Sequence, residues 1–313
     1  MPPDTRTGST TTCRYKPHIT DTGLSCLTTL NLKVDSTVED MDLLELHFEK
    51  IIEARAEEGE RMVKLSKDKS NTENPMDREN VEESVKVETV KSLSHVYKDI
   101  SSNIYENFCS LRVPVVEDSP PTELCFDILV SALKSEPAST QCVFSCQAGR
   151  GRTTLGMVVS CLIKEIQISC ELQRMGDIGL LPKETIANII DSKFHAAVST
   201  PTEDEDPLVK GEFEVIKELM EKLPGAVEGK KKVDRVIDIC GPAPRGPGLQ
   251  NLRECIIETK WKYDVAPEDR QVAFKQMILN FMVRYFYLIC FSVYASENGP
   301  EGFGKTFTEV CSD

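Results

Sequence analysis

Apolar residues recur at helical spacing over most of this chain and at strand spacing in a few short runs. "CLTTLNLKV" (26–34) reads as a strand. From Ser36 to Met62 the spacing predicts a helix: Ser36 and Glu39 have capping-box spacing, and Met41, Leu44, Phe48 and Ile51 form one apolar stripe. "ESVKVETV" (83–90) alternates and reads as an edge strand, and "CSLRVPVV" (109–116) as a second strand. A helix is predicted over 122–135. "QCVFS" (141–145) follows as a buried strand, and "RTTLGMVVSCLIKEI" (152–166) as a helix with Leu155, Val158, Val159 and Leu162 inward.

The order strand, helix, strand, loop, helix is an α/β pattern, which sets residues 26–200 as one α/β domain. Helices then take over: 182–198, 212–223, 231–240 and two more, so that 207–297 forms a helical region packed on that domain. Residues 1–25 are rich in Thr, Pro and Gly and read as disordered; 66–80 is a polar exposed loop, 199–207 an acidic linker, 241–248 a rigid exposed turn and 298–313 a tail. No internal repeat is visible.

The longest apolar run, 277–295, is broken by Asn280 and Arg284, and only eleven residues follow Arg284 before Ser296. That is too short to span a bilayer. A buried amphipathic helix is expected, with no transmembrane segment. The 313 residues are 40% hydrophobic and carry a net charge of -14, which repels polyanions and speaks against nucleic-acid binding. Twelve cysteines follow no metal-ligand spacing and the four histidines lie far apart, so no metal site and no cofactor are expected. With no secretory signal at the N-terminus, the thiols read as free in a reducing cytosol.

Chemistry concentrates in "QCVFSCQAGRGRTT" (141–154). Five residues separate Cys146 from Arg152, and in a cysteine-rich chain that spacing alone means little. Its context says more. A phosphate bound end-on needs inward backbone N–H groups, from residues that tolerate positive φ and leave the mouth open. Gln147, Ala148, Gly149, Arg150 and Gly151 can supply that ring. A helix starting near Thr153 aims its N-terminal donors at the same point. These groups and nearby guanidinium charge stabilise a thiolate at Cys146. Arg152 can grip two phosphate oxygens, and the Thr153 hydroxyl can donate to the sulfur as it leaves. The chemistry is phosphoryl transfer through a phosphocysteine. A structural cysteine before an ordinary glycine turn is the simpler alternative, but Gly-Arg-Gly-Arg would then leave two charges to be partnered. A departing alcohol also needs an acid. Glu117 and Asp118 stand together in the loop before the 122–135 helix.

The segment "VFSCQAGRGRTTLGMVVSCL" resembles the active-site stretch of the cysteine-based phosphatases, Cys-x5-Arg-Ser/Thr, and more narrowly the paladins and the phytase-like, dual-specificity branch. Arg112-Val113-Pro114, Phe126-Asp127, "VKGEFEVIKELMEKLP" and "VRYFYLICFSVY" extend the resemblance over roughly 109–295. It implies a protein-tyrosine-phosphatase-like central sheet flanked by helices, with a mostly helical C-terminal extension. It also implies the C-terminal one of two phosphatase-like halves. In that branch the acid stands five residues after the Arg and four before a Pro. Counting from Arg112 gives Glu117, with Pro121 four beyond it, 146 − 117 = 29 residues before the nucleophile. Asp is usual there, and this chain has Glu, so Asp118 stays beside it as the alternative acid. Ser145 stands where many tyrosine phosphatases have His.

Arg150 beside Arg152 suits a substrate with several phosphates, so a phosphoinositide or inositol phosphate is favoured over a phosphoprotein, with peripheral membrane-surface contact. Two rival readings remain. One is a phosphate-binding pseudophosphatase acting as a signalling scaffold, favoured by Glu117 and the absent His. The other is a rhodanese-like sulfur transferase, whose Cys loop is commonly shorter.

Overall fold

The computed structural model describes residues 38–68, 80–104, 108–115, 120–146, 151–190, 206–240 and 250–312. The predicted N-terminal disordered segment and the strand at 26–34 lie outside them. The chain divides into two units, Met1–Arg112 and Val113–Asp313.

In the first unit, helix α1 (Val38–Glu58) opens with Glu39 and Asp40 in its first turn and has Arg55 in its last, each charge favourable to the helix dipole. The stripe Met41, Leu44, Phe48 and Ile51 is half-buried, and Ala56 alone on this helix is fully enclosed. The helix stops at Glu58 rather than at the predicted Met62. A Cβ at Gly59 would lie 2.5 Å from the Met62 carbonyl oxygen, and Glu60 and Arg61 take left-handed φ values of 54° and 66°. This tight reversal launches β1 (Met62–Asp68), which pairs antiparallel with β2 (Asn80–Lys86) from Met62↔Lys86 to Asp68↔Asn80. The start of the predicted polar loop is therefore strand, and residues 69–79 lie outside the described residues.

Helix α2 (Leu93–Asn103) is capped by Ser92, whose hydroxyl accepts from the His95 N–H. The Glu49 carboxylate ties α2 to α1 by accepting from the Ser92 N–H at 2.8 Å, with His95 Nδ1 3.1 Å away. The Ser92 N–H, then its hydroxyl and His95, hold the Glu49 carboxyl below its ordinary range. Arg112 closes the unit by pairing with Glu45 at 2.7 Å and Asp42 at 3.4 Å on α1.

The second unit is helical: α3 (Glu123–Leu133), α4 (Gly151–Asp177), α5 (Lys183–Ile190), α6 (Glu214–Lys222), α7 (Ala226–Cys240), α8 (Leu252–Val265), α9 (Glu268–Asn298) and α10 (Phe307–Ser312). The predicted inward residues of α4 are all buried, Val158 and Val159 completely. α4 continues eleven residues past the predicted end at Ile166, to Asp177, and the chain turns at Gly179 with φ +73°. No proline interrupts that stretch, and Gln167, Glu171, Leu172, Gln173, Arg174 and Met175 are good helix formers, so propensity helps carry the helix after the apolar stripe fades.

Helix α9 is the core's spine. Tyr285, Leu288, Ile289 and Phe291 are fully buried, and the helix packs on α4, α7 and α8. Each such side chain contributes about 1.5–3 kcal/mol relative to exposure. By length and composition α9 could cross a membrane, yet half of its most apolar window is enclosed by this fold. α7 approaches closely because Gly229 carries no side chain: a Cβ there would stand 3.0 Å from Val293. Buried charges on these helices are paired. Arg235 of α7 meets Glu165 of α4, and Asp234 receives Lys230 at 2.7 Å and the Tyr285 hydroxyl at 2.5 Å.

The predicted tail is not a tail. Phe307 joins a ring cluster with Phe126 (4.9 Å between centroids), Tyr294 (5.3 Å) and Phe291 (5.5 Å). The Asp127 carboxylate of α3 caps α10, accepting from the Phe307 N–H at 2.6 Å and the Thr308 N–H at 3.2 Å.

The central sheet expected from the sequence is not seen among the described residues, where β1 and β2 form the only ladder. No strand is assigned to the described residues 109–115 and 141–146, and the Val115 N–H bonds the Val113 carbonyl at 3.0 Å in a turn. Both segments are held by side chains instead: Val113, Val115, Cys142 and Phe144 pack on the helical core. Cys125 also donates to the Pro114 carbonyl at 3.2 Å. The buried strand expected at 141–145 is instead a segment covered on one side. Cys142, Phe144 and Cys146 turn inward, while Val143 is 94% exposed.

Candidate active site

The site is built where the 141–146 segment meets the start of α4. Period-two alternation turns Cys142, Phe144 and Cys146 to the same side. Phe144 locks the segment onto α4 through Gly156: a Cβ at that glycine would come within 2.7 Å of the Phe144 ring. With the segment fixed this way, Cys146 stands at the N-terminal end of α4. Thr153, 7% exposed, donates its hydroxyl to Cys146 Sγ at 3.0 Å. Arg152 lies half-buried in the same first turn. A 27-residue helix begins at Gly151, so its unpaired N–H groups and positive dipole end face the sulfur's surroundings. The arrangement suits an anion held at the helix terminus beside a nucleophilic sulfur.

The structure thus brings together Cys146, Gly151, Arg152 and Thr153. Gln147, Ala148, Gly149 and Arg150 of the expected phosphate loop lie outside the described residues, as do both candidate acids, Glu117 and Asp118. The flanking motifs have structural work instead: Arg112 pairs with α1, Phe126 sits in the ring cluster, and Asp127 caps α10.

Three residues that the sequence reading passed over close the site's rear. Thr154, 1% exposed, accepts from the Gln250 N–H at 3.2 Å. The Gln250 side chain and Arg284 of α9 both press against Gly151. A Cβ there would lie 2.7 Å from Arg284 Nη1 and 2.8 Å from Gln250 Oε1. Asn251 then caps α8, accepting from the Arg253 N–H at 3.1 Å, and so anchors the strand of chain that carries Gln250. One signal existed in the sequence, a charged residue amid the apolar run of α9. In sequence Arg284 reads as an interruption of that run and as part of "VRYFYLICFSVY", with nothing to link it to Gly151.

A family model of protein-tyrosine-phosphatase-like phytases, described by the words inositol hexakisphosphate, matches residues 17–164. Its match ends within α4, before the helices that complete the core. Among curated proteins, paladin of Xenopus tropicalis is 29% identical over 210 residues, which is 66% of this chain and 21% of that protein. Paladin of Danio rerio is 30% identical over 224 residues, 64% of this chain and 22% of its own length. Paladin of Mus musculus reaches 32% over 188 residues, covering 58% and 19%. This chain is similar to the paladins over 58–66% of its length, and a little under half of it matches the phosphatase-like family model. It spans about a fifth of the length of these paladins. No solved structure matches. Against the family model, the Cys146 segment and the start of α4 fall inside the matched region, whereas Gln250 and Arg284 fall beyond it.

Proposed function

We propose that this chain hydrolyses phosphomonoesters through a phosphocysteine at Cys146, with a phosphoinositide or inositol phosphate as substrate in preference to phosphotyrosine. The observation that carries the proposal is the Thr153 hydroxyl donating to Cys146 Sγ at 3.0 Å, at the N-terminus of α4. A hydroxyl aimed at a sulfur stabilises its anionic form, the one that attacks and the one that leaves.

In the first step the Cys146 thiolate attacks phosphorus. The P–S bond forms, the ester P–O bond breaks, and a carboxylic acid, Glu117 or Asp118, protonates the departing alcohol. The same carboxylate then takes a proton from water as the water attacks phosphorus. The P–S bond breaks, its electron pair returns to sulfur under the Thr153 hydroxyl, and inorganic phosphate departs. Arg152 and the N–H groups at the start of α4 hold the phosphoryl oxygens throughout. The family model's description, inositol hexakisphosphate, together with Arg150 next to Arg152 in sequence, supports a substrate with several phosphates.

A second reading, a phosphate-binding pseudophosphatase that acts as a scaffold, is favoured by Ser145 in place of His and by Glu at 117. A phosphate-release screen across phosphoinositides, inositol polyphosphates and phosphotyrosine peptides separates the two. Turnover on the polyphosphates, lost in Cys146→Ser, is the expected result. Phosphate binding without turnover on any of them gives the scaffold reading.

A further inference from the structure

We infer that Arg284 and Gln250 are positioning residues that fix the start of α4, where Arg152 and Thr153 stand, so that α9 and the chain entering α8 belong to the working site. The inference rests on the phosphatase reading above and extends it to residues outside the matched family region.

Three observations converge. Gly151 ends the Cys146–Arg152 loop and begins α4, and both side chains lie so close to it that even a methyl group would collide with Arg284 Nη1 and Gln250 Oε1. Arg284 is 4% exposed on the described helix that is long and apolar enough to cross a membrane. A buried guanidinium is expensive to desolvate, and hydrophobic packing would serve stability as well. Its position against Gly151 gives it a use at the start of α4 that packing does not. Gln250 Oε1 is buried and makes no hydrogen bond among the described residues. Meanwhile the Gln250 N–H is fixed on Thr154, next to the threonine that bonds the sulfur. One end of Gln250 is therefore anchored to α4, and the other presents an acceptor at Gly151.

A helix start held this way keeps Gly151, Arg152 and Thr153 in one geometry before the anion arrives. Displacing such a helix start by about 1 Å costs on the order of a hundredfold in rate. Neither Arg284 nor Gln250 is assigned contact with the phosphoryl group. They act through Gly151.

Tungstate, an oxyanion of phosphate's shape, is the probe, and its binding does not depend on turnover. Arg284→Met, Arg284→Lys, Gln250→Ala and Cys146→Ser are compared with the parent for tungstate affinity by calorimetry, for kcat and KM on a small aryl phosphate, and for Tm. Arg284→Met, with Tm near the parent's, is expected to weaken tungstate by about tenfold or more and to lower kcat by about a hundredfold. Arg284→Lys should restore part of both, and Gln250→Ala should show the same pattern in smaller measure. Parent-like tungstate affinity and kcat in a folded Arg284→Met overturn the inference. If Arg284→Met does not fold, parent-like values in Gln250→Ala overturn it. A parent that binds tungstate but releases no phosphate refutes the enzyme reading alone, and the positioning inference then stands on the loss of tungstate in the variants. A parent that binds no tungstate overturns both.

Discussion

Thr153 can be tested apart from the nucleophile. Its hydroxyl reaches Cys146 Sγ from a buried position, where its alternative partners are few. A hydrogen bond to a charged group contributes about 1.5–3 kcal/mol, or roughly ten- to a hundredfold in rate when the charge develops in the reaction. Thr153→Ala should lose that much kcat, whereas Thr153→Ser, which keeps the hydroxyl, should retain most of it. Equal kcat in parent and Thr153→Ala would remove the hydroxyl from the mechanism. At this scale Cys146, Arg152 and Thr153 were legible because spacing and residue type suffice to nominate them. Arg284, Gln250 and Thr154 were not. Their relation to Gly151 spans 284 − 151 = 133 residues in one case and depends on how α9 crosses α4. No local pattern encodes that. Glu117 and Asp118 remain distinguished by chemistry alone, as alternative acids.

The elements that position the site are two helices and an extended segment. α4 is held to α7 by the Arg235–Glu165 pair, whose side chains are 9% and 12% exposed. Removing one partner of a buried pair leaves an uncompensated charge and costs about 3–5 kcal/mol, whereas apolar replacement of both is often neutral. Arg235→Leu should therefore lower stability by about that amount in denaturant titration. Arg235→Leu combined with Glu165→Leu should recover most of it. If the double variant is as weak as the single, the pair is a structural necessity rather than a balanced charge. Periodicity gave the inner face of α4 correctly, because 3.6-residue spacing records which side is buried. It ended the helix too early, since the exposed continuation to Asp177 carries no stripe. It read 109–116 and 141–145 as strands, and no strand is assigned to the described residues of either. Pairing is a long-range property, and Val143 at 94% exposure shows one face of the second segment uncovered within the described residues.

At the scale of the molecule, the α/β expectation came from element order and from resemblance, while the described second unit is built around α9. That helix looked in sequence like an interrupted apolar run; folded, it supplies the core's spine and Arg284 at the loop. The C-terminal residues looked like a tail because α10 is short. What secures it is the Asp127 cap on α3, together with the rings of Phe126, Phe291 and Tyr294. Phe126-Asp127 thus serves the fold rather than the chemistry. The likeness to the paladins and to the family model falls on the Cys146 segment, and the proposed turnover rests on whether Cys146 takes the phosphoryl group. Rapid acid quench of the protein during reaction with an inositol polyphosphate, followed by mass spectrometry of its peptides, reads this directly. A phosphate adduct on the peptide that carries Cys146, absent in Cys146→Ser along with phosphate release, is the predicted result. Phosphate release that continues undiminished in Cys146→Ser would contradict it.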